Sequence, residues 1–145
     1  MTVARDLNVG QHIEELLSEP VDVACPNCNA HAVVVALTAK TKVLGRPRRL
    51  VCAACGLTRD HAGRMITVHR NGFDPWFDLP LWHTASTPWG TVWAYNDDHR
   101  TQLRSFVAAA LRERTSSGGW RARLPGWMTS ATHRAAILKA IDSMP

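Results

Sequence analysis

The sequence has no apolar run long enough to cross a bilayer. Its longest, residues 32–37 and 106–111, fall far short of the roughly 20 residues that a spanning helix needs. The first residues lack the apolar stretch of a secretory leader, since Arg5, Asp6, Glu14, Glu15 and Glu19 are spread across them. A cytoplasmic location without membrane attachment is therefore expected. The sequence contains no phosphate-cradling glycine loop, dinucleotide glycine pattern or nucleophile elbow. His12, His69, His83, His99 and His133 show no metal-ligand spacing of the His-Glu-x-x-His kind. Acids and a histidine coincide at Asp97-Asp98-His99, with Asp74 and Asp78 upstream, and the two adjacent aspartates are explained by the start of a helix. Neither an enzymatic activity nor a small-molecule substrate is expected. Cysteine is scarce as well. With four residues in a reducing compartment, thiolates on a metal are a better expectation than a pair of disulfides.

Charge of one sign is missing from two long stretches. Between residues 38 and 70 the only acid is Asp60, set against Lys40, Lys42, Arg46, Arg48, Arg49, Arg59, Arg64 and Arg70. Residues 72–98 have no Lys or Arg, and carry Asp74, Asp78, Asp97 and Asp98. A net charge of +5 permits attraction to polyanions without requiring it. The segregation is more informative, because the densest basic segment coincides with the cysteines.

Hydrophobic residues make up 46% of the 145-residue chain, enough for one compact domain or a small metal module joined to a helical unit. Asn8 and Gln11 read as a capping box ahead of Ile13, Leu16 and Leu17, which predicts a helix over about residues 9–18 that Pro20 ends. Residues 31–37 and 48–51 read as strands joined through the turn Leu44-Gly45-Arg46-Pro47. A third strand is expected within residues 57–70, broken at His61-Ala62-Gly63 and resuming over 65–68. Pro75, Pro80 and Pro88 exclude a long helix from the aromatic segment that follows. Residues 91–95 look like a strand, paired with 81–85 or added to the metal module's sheet. Asn96 suits an N-cap, with Asp97 and Asp98 at the positive end of a helix over 97–115. Leu124-Pro125-Gly126-Trp127 reads as a turn before a last helix over 130–141, with Ile137, Leu138 and Ile141 inward. The expected division is an N-terminal helix over 1–20, a metal module over 21–70, and an aromatic β segment with two helices over 71–145.

Cys25-Pro26-Asn27-Cys28 and Cys52-Ala53-Ala54-Cys55 are the motifs that carry chemistry. A two-residue spacer lets one tight turn aim two sulfurs at one ion, and two such turns complete a tetrahedral shell. The residue after each pair stands where a left-handed backbone is needed, and Asn29 and Gly56 occupy those positions. Four thiolates suit zinc, and iron as well. They leave no open position for a catalytic water. A dithiol redox site would favour a single pair at a strand–helix junction, and neither pair stands at one. His31 and His61 lie near the pairs, but with four cysteines in register they are not expected to be ligands.

These residues resemble the zinc-ribbon family over about residues 21–70. The resemblance implies one structural Zn²⁺ on Cys25, Cys28, Cys52 and Cys55, and a small antiparallel sheet that depends on the metal to fold. It implies no single function, because such ribbons occur in nucleic-acid machinery and in protein adaptors. Asp74-Pro75, Leu81-Trp82, Trp93-Ala94-Tyr95-Asn96 with His99, Leu111-Arg112-Glu113-Arg114 and Leu124-Pro125-Gly126-Trp127-Met128 extend the resemblance across the chain to a group of bacterial zinc-ribbon proteins. That group brings no established activity, so no functional residue is transferred. Trp93, Tyr95, Asn96 and His99 form either a recognition site at the helix start or a buried cap whose polar groups satisfy one another.

Lys40, Lys42, Arg46, Arg48 and Arg49 form a candidate phosphate-contacting finger. The alternative is a solvated edge that discourages sheet-to-sheet pairing. Of the six tryptophans, Trp76, Trp82, Trp89 and Trp93 fall in the acidic segment, a poor track for a nucleic-acid backbone. They read as core material, and one left exposed would anchor a protein partner. The fold expected is α+β: a small antiparallel zinc-ribbon sheet packed with an aromatic β segment and two to three helices. The function expected is non-enzymatic binding of nucleic acid or its machinery. The alternative is a protein-interaction module, an adaptor or toxin-neutralising partner, using exposed Trp and the acidic central segment.

Overall fold

Each Cys-x-x-Cys turn ends one strand and begins the next, so the cysteines set the strand boundaries. The computed structural model describes residues 5–6, 13–39, 42–64, 70–109, 111–112 and 120–145. In chain order its elements are β1 (Arg5–Asp6), α1 (Ile13–Leu17), β2 (Val21–Ala24), β3 (His31–Ala36), β4 (Arg48–Val51), β5 (Thr58–His61), β6 (His83–Thr87), β7 (Gly90–Ala94), α2 (Asp97–Ala108), β8 (Leu111–Arg112), α3 (Gly126–Thr129) and α4 (Arg134–Ser143). The architecture is α+β. β2, β3, β4 and β5 form one antiparallel sheet in that order, and β6–β7 form a hairpin.

Period-two alternation decides which side of the ribbon sheet is covered. Val21, Val23, Ala32, Val34, Arg48 and Leu50 are buried while the residues between them are not, as expected for strands with one face on a core. Val34 stands in register with Val21 on one side and Leu50 on the other. β5 lies beyond the covered area, and Thr58, Arg59 and Asp60 are all exposed. β2 is a fourth strand that its short sequence did not announce. Its free edge receives the aromatic segment: Val23 bridges to Leu81, Asp22 N–H donates to the Tyr95 oxygen at 2.8 Å, and Trp82 N–H donates to the Asp22 oxygen at 3.0 Å. The expected strand over 91–95 pairs with residues 83–87, while the segment just before that hairpin joins the metal module's sheet.

One cluster of buried side chains runs from Val21, Val34 and Leu50 through Trp76 to Leu103 and Ile141. α4 packs on α2 and on the β6–β7 hairpin. Ile137 and Ile141 are buried and Leu138 lies at the cluster's margin.

Several boundaries differ from expectation. α2 stops at Ala108 because Ala109 turns extended, at φ −65° and ψ 124°, and Leu111–Arg112 then pairs in parallel with Arg5–Asp6. That ladder supplies backbone bonds that further helix would have supplied. The turn expected at Trp127 is the short helix α3, and α4 begins at Arg134 after a single 3-10 turn over Ala131–His133. The capping box at Asn8–Gln11 and the strand expected over 65–68 lie outside the described residues.

Arg48 corrects the reading of the basic finger. It shares the inward phase of β4 with Leu50 and is 0% exposed, so it does not reach a phosphate. Nη1 donates to the Leu17 oxygen at 3.0 Å and Nη2 to the Val43 oxygen at 2.6 Å. The guanidinium lies 3.8 Å from the centre of the Trp76 ring, which favours a desolvated cation. Burial and the nearby Arg46 charge bring its pKa down to about 10, so it is charged at neutral pH. Arg48 thereby ties α1, the 3-10 turn Val43–Gly45 and the aromatic segment to the sheet. Arg48→Ala is expected to cost about 2–4 kcal/mol in denaturant unfolding, since it strips the Trp76 ring and leaves two carbonyls without donors. Arg49→Ala, on the opposite face, is expected to leave the midpoint near the parent's. Equal losses in the two variants would contradict the assignment.

Candidate metal centre

The two cysteine turns are built alike. In the first, Cys25 N–H donates to the Ala30 oxygen at 2.8 Å and Asn29 N–H to the Cys25 oxygen at 2.9 Å. In the second, Cys52 N–H donates to the Leu57 oxygen at 2.9 Å and Gly56 N–H to the Cys52 oxygen at 2.8 Å. Closing each turn requires a positive φ, which is 62° at Asn29 and 78° at Gly56. No neighbour would meet a Cβ at Gly56, so the demand there is on backbone conformation rather than space.

The turns face each other and bring the four sulfurs within 4.8 Å of one another. Cys25 Sγ lies 3.7 Å from Cys55 Sγ, and Cys28 Sγ 3.6 Å from Cys52 Sγ. Sulfurs about 2.3 Å from a central ion in a tetrahedron stand about 3.8 Å apart, so both separations fit a single metal ion. Cys25 and Cys52 are buried, whereas Cys28 and Cys55 are exposed. Asn27 supports the set twice, its N–H directed to Cys25 Sγ at 3.4 Å and its Nδ2 to Cys55 Sγ at 3.5 Å.

The sulfurs differ in acidity. The Asn27 amide and the Leu57 backbone N–H bring the Cys55 thiol down to about 6. At Cys28 the bond from the Ala30 backbone pulls down, but desolvation and the other three sulfurs outweigh it and push the thiol up to about 12. Four sulfurs this close do not ionise together unless a cation is shared among them. Among the described residues, no other group of three or more His, Cys, Asp or Glu gathers in this way.

His31 and His61 are engaged elsewhere. His61 Nδ1 accepts from Gly63 N–H at 3.0 Å. His31 Nε2 lies 2.8 Å from Asp22 Oδ1, which belongs to a network that the sequence did not signal. The other carboxylate oxygen, Asp22 Oδ2, lies 2.8 Å from His83 Nε2, and His83 Nδ1 lies 2.9 Å from the main-chain oxygen of Pro145. Both ring nitrogens of His83 face acceptors, which favours the doubly protonated ring.

The candidate finger is not brought together as one patch. Lys40 lies outside the described residues, Lys42 is exposed, Arg46 is half-buried and Arg48 is internal. Arg49 is committed to its cross-strand neighbour Asp60, with Nε 2.7 Å from Oδ1 and Nη2 3.1 Å from Oδ2. Asn96 and His99 form the buried cap. Asn96 Oδ1 accepts from His99 N–H at 2.9 Å, and Nδ2 donates to the Leu16 and Pro20 oxygens at 3.1 and 3.2 Å. The acidic segment is partly internal: Asp74 is buried and accepts from Trp76, Phe77 and Leu79 N–H at 2.7–2.9 Å, while Asp78 pairs with Arg70.

No protein-family model, curated protein or solved structure matches the chain. The four-cysteine cluster therefore stands on its own geometry as a metal-binding module.

Elemental analysis of the freshly purified chain is expected to give one metal ion per chain, and Cys28→Ser with Cys55→Ser to abolish it. Stoichiometric metal in that double variant would refute the assignment. A second prediction concerns the Asp22–His83 pair. The Asp22 hydrogen bond raises His83 above its ordinary 6.5. Burial would raise Asp22, but its bonds to His83 and His31 bring it below 3.8. The pair's contribution to stability is whole between those two ordinary values. It is lost as pH rises through the raised His83 value, and as pH falls through the lowered Asp22 value. The difference in melting temperature between the parent and His83→Gln is expected to be largest around pH 5–6 and to shrink towards alkaline pH. A difference independent of pH would show that His83 does not carry the charge.

Proposed function

We propose that the chain is a non-enzymatic binding protein, in which one structural zinc ion holds the ribbon and the ribbon's exposed cations contact nucleic acid. Zinc fits a closed shell of four thiolates, in which the protein occupies every coordination position and none is left for a reacting water. The metal then serves the fold, giving the hairpins between the cysteine turns a rigidity that a sheet of this size lacks alone.

The observation that carries the nucleic-acid reading is what remains after Arg48 and Arg49 are accounted for. Lys42, Arg59 and Arg64 are exposed on the metal module and have no ion-pair partner among the described residues. The module's one acid between residues 38 and 70, Asp60, is already held by Arg49. Uncompensated cations on one small module attract phosphates and release counterions when they bind. A protein partner is the second reading, favoured by the exposure of Leu37 and Trp89.

Binding of fluorescent single-stranded DNA and RNA across a salt series tests the proposal. Affinity is expected to fall steeply with salt, and Lys42→Ala, Arg59→Ala and Arg64→Ala each to reduce the logarithmic slope by about 0.7. Absence of binding at low salt, with a protein recovered stoichiometrically from the native host, would replace nucleic acid with the second reading.

A further inference from the structure

Beside the start of α2 lies a cavity of about 660 Å³, whose lining includes none of the cations that the nucleic-acid reading uses. Four of the chain's six tryptophans, Trp89, Trp93, Trp120 and Trp127, line it together with Met128 and His99. Its walls are held in place. Trp89 stacks on His133, ring centres 3.7 Å apart. Trp127 passes so close to Gly90 that a Cβ there would stand 2.9 Å from its ring, so the absence of a side chain at Gly90 lets the indole lie over the β6–β7 turn. Trp93 and Trp120 meet His99 edge-on, at 5.8 and 4.9 Å.

His99 supplies a buried polar group, beside the side chains of Asn71 and Thr91. Its Nδ1 accepts the Tyr95 backbone N–H at 3.0 Å, which leaves the ring proton on Nε2 in the neutral tautomer. Among the described residues Nε2 has no hydrogen-bond partner. Burial, with the Arg121 and His83 charges, brings the ring's pKa down to about 3, so it remains a neutral donor in the physiological range. No Asp, Glu, Lys or Arg lines the cavity among the described residues. The Arg121 guanidinium lies 4.3 Å from the Trp120 ring, a position that disfavours a second cation on that indole.

We propose that this cavity binds an uncharged, planar aromatic small molecule whose hydrogen-bond acceptor meets His99 Nε2. The volume is that of a small-molecule site, and such sites combine apolar walls with a few directed polar groups. Indole faces and edges favour a flat π-system. Among the described residues of the walls an anion finds no counter-charge and a cation finds no carboxylate. The His99 Nε2 proton, on a buried ring and without a partner among the described residues, selects for an acceptor at that point of the wall. A ligand that presents a donor there leaves two N–H groups opposed.

The test uses the full metal-loaded chain with ¹⁵N-labelled indoles, whose six N–H signals report each tryptophan separately. The probe is quinoline, which is uncharged at pH 7.5, flat, and has one acceptor nitrogen. It is expected to shift the signals of Trp89, Trp93, Trp120 and Trp127 and to leave Trp76 and Trp82 in place, with Kd at or below about 1 mM. Indole, equally flat but offering a donor, is expected to bind at least about tenfold more weakly. N-methylquinolinium, with the same plane, a fixed charge and no acceptor, is expected to be weakened at least as much. Trp89→Ala removes a partly exposed wall and is expected to weaken quinoline about tenfold. Leu124→Trp fills the cavity and is expected to abolish the shifts, with unchanged Trp76 and Trp82 signals showing that the fold persists. Equal movement of all six signals, no movement of any, indole binding as well as quinoline, or N-methylquinolinium binding more tightly would each overturn the proposal.

Discussion

Four sulfurs within 4.8 Å of one another are the constraint around which the first half of the chain is arranged. Thiols at that distance do not ionise together, and a single shared cation resolves the problem. The four strands of the sheet begin or end at the two turns that supply the sulfurs, so the convergence of the sulfurs sets the register of the ribbon. The buried valines on its inner face are thereby placed to meet the aromatic half. The association is physical as well as sequential: β2 leads directly into Cys25, and its outer edge is bonded to residues 80, 82 and 95.

What the sequence revealed and what it withheld divide along the distance between partners. The four cysteines, the left-handed Asn29 and Gly56, the Asn96 cap and the inward Ile137 and Ile141 each depend on neighbours within a turn or two, and each was legible. The strand Val21–Ala24 was not, because half of its bonds go to residues some sixty to seventy positions away. The end of α2 at Ala108 depends on Arg5–Asp6, more than a hundred residues earlier. The Asp22–His83 pair joins strands separated by the whole ribbon, and nothing near either residue marks it.

Arg48 is the instructive failure. Its neighbours in the sequence are basic, and a run of arginines invites an electrostatic reading. The alternation Arg48, Leu50, Cys52 carried the contrary signal, since those three share a phase and the other two belong inside. Period two was the better guide than charge, because a strand with one covered face cannot choose which of its residues turns inward. The same lesson applies to the tryptophans. Composition marked them as core, yet four of them border one cavity, because bulky rings held by a glycine, a stacked histidine and a helix cap leave a space between them.

The acceptors that hold the Arg48 guanidinium are the main-chain oxygens of Leu17 and Val43. Any residue at either position offers the same oxygen. Mutational drift at 17 and 43 is therefore restrained by packing volume alone, and the arginine places no demand on side-chain chemistry there. The only side chain whose chemistry it does require is the indole of Trp76. Positions 48 and 76 are thereby coupled, and a change at one is expected to be tolerated best with a compensating change at the other.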